Sequence, residues 1–96
     1  MQKEEYNFWR DYYFGLIPDP LNEKEQLIIN KFNYYLDAKI PTNEFMFEVN
    51  KCGGLNDILN NEALINFLAK QFNVNDELIK IKICNIKKNL ETKKTR

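Results

Sequence analysis

A chain of 96 residues, 44% hydrophobic and 29% charged, has room for one domain with a modest core and a solvated surface, which excludes a disordered tail. It contains no histidine, so the commonest general base near neutral pH, the Ser-His and Cys-His nucleophile pairs and every HExxH zinc site are excluded together. Its zero net charge hides an imbalance: residues 1–48 carry nine acids and five bases, and residues 49–96 carry five acids and nine bases. Such an asymmetry bears on partners rather than on fold.

In chain order, Tyr6, Trp9 and Tyr13 recur at helical spacing over residues 3–14, with Phe8, Tyr12 and Phe14 adding a second apolar surface. Gly15 ends this helix, and Pro18-Asp19-Pro20 follows as a stiff turn. Asn22 with Glu25 has the form of a capping box, and Leu27, Ile28, Phe32, Tyr35 and Leu36 keep a helical period, which predicts a central helix over about 22–38. Ile40-Pro41 breaks it. Thr42 is the expected N-cap of a third helix carrying Phe45, Phe47 and Val49, closed by Gly53-Gly54.

Asn60 or Asn61 caps a fourth helix whose buried face is marked by Ala63, Leu64, Phe67, Leu68 and Phe72. Asn73, the non-glycine residue that best tolerates the left-handed conformation, supplies the turn into a last helix from Asp76 to about Leu90. Ile79, Ile81 and Ile83 alternate with lysines, a period that also suits a short β element at 79–83. Asp76-Glu77 at the start and Lys87-Lys88 near the end suit a helix dipole and favour the helix. Residues 91–96 form a basic tail expected to fray.

The apolar runs Leu27-Ile28-Ile29 and Leu64-Ile65 are far too short to span a bilayer, and the acidic, aromatic N-terminus is unlike a signal peptide. A cytoplasmic protein with no membrane partner is the expectation. Cys52 and Cys84 lack CxxC spacing and read as ordinary thiols, Cys84 in the core. Gly53-Gly54 lacks the spacing and lysine of a phosphate loop.

Two constellations point to function. The first is the helix-turn-helix-like unit 68–90, in which Ala69 allows close approach, Asn73 makes the turn, and Val74 and Ile79 lock the two helices. Lys80, Lys82, Lys87 and Lys88 could meet phosphates, but Asp76 and Glu77 occupy the turn that should read bases. The second is aromatic density, since eleven of the thirteen aromatics precede residue 50. They either form the core under the proline turn or leave an acidic, aromatic surface amid Glu4, Glu5, Asp11 and Asp19.

The segments Ile-Pro-Thr-Asn-Glu-Phe at 40–45, Asn-Lys-Cys-Gly-Gly at 50–54 and Leu-Ala-Lys-Gln-Phe-Asn-Val-Asn-Asp-Glu-Leu-Ile-Lys-Ile-Lys-Ile at 68–83 resemble the C-terminal part of ImmA/IrrE zinc metallopeptidases. The likeness covers about residues 40–86. In that family a helix with a zinc-ligand glutamate leads into a Leu-Met-Pro-like segment, and a helix-turn-helix-like element follows. Here the HExxH helix is missing, Lys39 interrupts the apolar stretch, and counting back from Pro41 puts the third ligand near Asn30, which has no carboxylate. The resemblance therefore implies a truncated, catalytically empty relative with no metal and no cofactor. Because members of that family are carried by phages and mobile elements and act on repressors, it also implies a small protein that works by binding. Phage-encoded anti-CRISPR and other anti-defence inhibitors are similar in size and in lacking catalytic motifs.

The expectation is an all-α domain of about five helices over residues 1–90 that is not an enzyme. It would inhibit or regulate a host factor, such as a CRISPR effector nuclease or a repressor, by stoichiometric contact with a basic nuclease or nucleoprotein. Tyr6, Trp9, Asp11, Tyr12, Tyr13 and Asp19 are the expected contact residues. The alternative is a small DNA-binding regulator using Lys80, Lys82, Lys87 and Lys88.

Overall fold

The helices that follow Asn22, Asn61 and Asn75 each have their start set by that asparagine, which accepts from an orphan N–H group of the first turn. The computed structural model describes residues 3–94, with side-chain burial given for residues 3–90, so the basic tail at 91–96 lies outside the residues whose side chains are described. The order of elements is α1 (Lys3–Tyr13), α2 (Glu23–Lys39), α3 (Thr42–Lys51), α4 (Leu55–Ile58), α5 (Glu62–Phe72) and α6 (Asp76–Lys94). Among the described residues the fold is entirely α-helical, with one short helix more than the five expected.

At α2 the capping box is complete. The Asn22 side chain accepts from the Glu25 N–H at 2.8 Å, and the Glu25 carboxylate accepts from the Asn22 N–H at 3.0 Å. Asn61 caps α5 by accepting from the Leu64 N–H at 3.2 Å, and Asn75 opens α6 by accepting from the Leu78 N–H at 2.9 Å. Between them Asn73 takes φ 57° and ψ 48°, the left-handed turn expected of it. Thr42 differs from expectation. Pro41 is the cap residue of α3 and makes no side-chain bond, because the Thr42 hydroxyl instead accepts from the Lys82 ammonium at 2.8 Å. The unexpected α4 follows Gly53 and Gly54, whose φ of 105° and 108° turn the chain back so that Ile58 is buried.

The centre of the molecule is α6 rather than α2. Leu78, Ile79, Ile81, Lys82, Ile83, Asn85 and Ile86 are all buried, and α1 and α5 both pack on this helix. The alternation of Ile79, Ile81 and Ile83 is thus the mark of a helix covered on several sides, not of a strand. Burying each such isoleucine contributes roughly 2 kcal/mol, so this helix organises the core. In contrast, α2 buries the single stripe Ile29, Phe32 and Leu36. No described helix is long and apolar enough to cross a membrane.

Candidate interaction surface

The aromatic side of α1 is turned inward. Trp9 has 0% of its surface exposed, stacks on Phe32 with ring centroids 5.4 Å apart, and donates its indole N–H to Asn33 Oδ1 at 3.1 Å. Tyr13 donates to the same Asn33 oxygen at 2.8 Å, and Asn85 Nδ2 donates to the Tyr13 hydroxyl at 3.0 Å. Asn33 therefore ties α1, α2 and α6 together through one acceptor, leaving no buried polar handle unsatisfied. Trp9 and Tyr12, expected to meet a partner, are corrected to core residues: their polar ends are bonded within the fold, so burial costs them nothing in lost hydrogen bonds.

Tyr6 and Tyr13 are half-buried. Tyr6 donates to Glu77 at 2.6 Å; its burial, then this bond to a carboxylate, pushes its hydroxyl pKa well above the ordinary value. Burial likewise raises Tyr13, against the opposing bonds from Asn85 and Asn33. Asp11 is paired with Arg10 at 3.2 Å and Asp19 with Lys88 at 3.2 Å. The six residues expected at a contact surface are thus divided between the core and local ion pairs.

The lysines of the alternative reading are also dispersed. Lys82 has a fully buried side chain that donates to Asp37 Oδ1 and Thr42 Oγ1, both at 2.8 Å, which removes it from any phosphate. Lys80 stands 3.4 Å from Glu62. Lys87 and Lys88 are half-exposed beside Tyr12, Tyr13, Gly15 and Cys84, around a shallow depression of 220 Å³. Burial alone would lower the Lys88 pKa, but its bonds to Asp19 and Tyr12 raise it on balance. Glu77, in the first turn of α6, faces Arg10 at 3.8 Å as well as Tyr6. The end of α6 that a DNA reader would insert into a groove is docked on α1.

Among the described residues, two open grooves combine partly exposed apolar side chains with acids. The first, of 490 Å³, lies between α1 and α2 and is lined by Glu4, Glu5 and Phe8 on one side and Asn22, Lys24, Glu25 and Ile28 on the other. Lys31 reaches from α2 to pair with Glu5 on α1. The second, of 510 Å³, lies between α3 and the end of α5, where Glu44, Phe47 and Glu48 face Gln71 and Phe72. Glu4 and Glu5 were visible in the sequence as flanking acids, and Phe8 as part of the second apolar surface of α1. Phe47 is one of the three apolar residues expected on the third helix, and the helical phase of α3, with Phe45 and Val49 inward, turns it out.

Cys52 and Cys84 are free cysteines, both half-buried, and burial pushes the Cys84 thiol pKa up, which makes it a poorer nucleophile. Among the described residues no three His, Cys, Asp or Glu side chains gather as a metal site requires.

Compared with known proteins, the chain matches no family model, no curated protein and no solved structure. The resemblance of residues 40–86 to the metallopeptidases therefore rests on the three quoted segments alone.

Proposed function

We propose that the chain is a non-catalytic binding protein that engages a basic protein partner stoichiometrically, to inhibit or regulate it, through the groove between α1 and α2. The observation that carries this reading is the juxtaposition in that groove of the apolar Phe8 and Ile28 with Glu4, Glu5 and Glu25, three acids against the single lining base Lys24, although Lys31 pairs with Glu5 and Glu25 also caps α2. An apolar floor with a charged rim is the ordinary anatomy of a protein interface, and the acidic rim steers a positively charged partner. Proteins that handle nucleic acid carry such positive surfaces, so a defence nuclease or a repressor is the partner class that fits. A mobile-element origin fits the same reading through the resemblance of residues 40–86.

The nucleic-acid alternative is the weaker reading, because of its four lysines Lys82 is buried and Lys80 and Lys88 face acids, which leaves Lys87. The test is affinity capture by the immobilised chain from lysate of its source cell, with and without nuclease treatment. The proposal expects a basic protein retained after nuclease treatment and lost with Glu4→Lys combined with Phe8→Ala, while circular dichroism stays native. Capture that vanishes with nuclease, or is indifferent to those substitutions, refutes it.

A further inference from the structure

The groove between α3 and α5 shows in its own side chains which chemistry it accepts. Phe47 is 62% exposed, an unusual position for a phenylalanine, and its ring face is partly covered by the Lys51 ammonium 5.0 Å from the centroid. The same ammonium stands 3.7 Å from Glu48, whose side chain is only 16% exposed within the groove. A carboxylate so enclosed needs a cation beside it, and Lys51, itself 60% exposed, gives it a long and weakly held one. Glu44, one helical turn before Glu48, adds a second acid at the groove, and Phe72 supplies an apolar wall.

We propose that this groove is a second docking surface, one that receives a lysine or arginine side chain from a basic segment of a protein partner. The incoming cation displaces Lys51, lies over the Phe47 ring and pairs with Glu48, while its aliphatic stem packs along Phe72. Lys51 is thus an internal stand-in that holds the site until the partner arrives. An ammonium or guanidinium on an aromatic face gains attraction that grows as the pair is desolvated, and the Glu48 side chain beside the ring is already partly covered. The inference rests on the reading of the chain as a binder of basic proteins, but it concerns a different surface and is read out separately.

The probe is a short blocked peptide of alternating lysine and leucine, titrated into the nitrogen-15-labelled full chain and followed by amide shifts, with a glutamate-for-lysine peptide as control. Shifts are expected along α3 and at the end of α5 with the lysine peptide and not with the control. Phe47→Ala and Glu48→Gln should each weaken binding by about tenfold, the scale of a partly desolvated cation–π or ion contact. Lys51→Ala should instead tighten it about threefold, because it removes the internal competitor at the cost of a weak exposed pair. Native amide spectra of each variant control for folding. Weaker binding by Lys51→Ala, equal binding of the control peptide, or the absence of shifts overturns the inference. Shifts gathered at Glu4, Glu5 and Phe8 overturn it too, yet leave the proposed function standing.

Discussion

Helices α1 and α3 are both short, amphipathic, aromatic and acidic, yet they spend their aromatics in opposite ways. In α1 the rings of Tyr6, Trp9 and Tyr13 turn inward and each has an internal partner, since Asn33 accepts from Trp9 and Tyr13 and Glu77 accepts from Tyr6, while Phe8 lines the groove. In α3 only Phe45 and Val49 face the core, and Phe47, two residues on from Phe45 and so on the opposite phase of the helix, is left at the surface under Lys51. The lesson is that a count of aromatics does not locate an interface. Phase on the helix and the presence of a bonded partner decide which rings are structural.

The contrast can be broken most forcefully at Trp9. Trp9→Ala should cost about 4 kcal/mol in denaturant unfolding, since a fully buried ring leaves a cavity, whereas Phe47→Ala should stay within about 0.5 kcal/mol. Equal losses would mean that the two helices are not differently used. Asn33→Ala should come next, at about 2 kcal/mol, because it strands the Trp9 and Tyr13 donors at once.

A charged counterpart to that network lies one helical turn away along the same α2–α6 seam, where Lys82 meets Asp37. Asp37→Ala should cost about 2 kcal/mol by leaving the buried Lys82 ammonium with Thr42 alone, while Lys82→Met should be close to neutral, because the exposed Asp37 carboxylate is readily hydrated. If Lys82→Met is as damaging as Asp37→Ala, the ammonium is an integral part of the core and not a tolerated cation.

The smallest effect is on pH dependence. Tyr6, Tyr12, Tyr13 and Lys88 all have pKa values raised in the folded state, so the fold holds their protons more tightly than the unfolded chain does. Their contribution is fully present below the ordinary tyrosine value of 10.0 and is lost as pH rises through the folded values. With no histidine in the chain, the thermal midpoint should be nearly level from neutral pH to the ordinary thiol value of 9.0. It should fall gently above that value as Cys84, whose pKa is also raised, loses its contribution, and fall further beyond 10.0, less steeply in Tyr6→Phe. A midpoint that rises above pH 10 would reverse the sign.

Most of the fold was legible because its boundaries are local. The Asn22–Glu25 box, the glycines at 53 and 54 and the left-handed Asn73 each act within a few residues, and each stands where the sequence pattern puts it. What was not legible depends on long-range pairing. The choice of α6 as the central helix, the diversion of Thr42 from cap to Lys82 acceptor, and the burial of Lys82 itself involve partners 40 or 45 residues away. Periodicity could suggest a strand at 79–83 because an all-round buried helix and an alternating strand both place isoleucines at every second position. Of the proposed groove, the acids Glu4 and Glu5 stand out in the sequence, but Trp9 and Tyr12, expected beside them at a surface, belong to the core.

Amide hydrogen–deuterium exchange of the chain, free and bound to its captured partner, tests the central claim most directly. The account predicts added protection over residues 4–8 and 22–28, the two walls of the acidic groove, with α6 unchanged because it is already buried. Protection gained instead around Lys80, Lys87 and Lys88, with the α1–α2 groove unchanged, would contradict it.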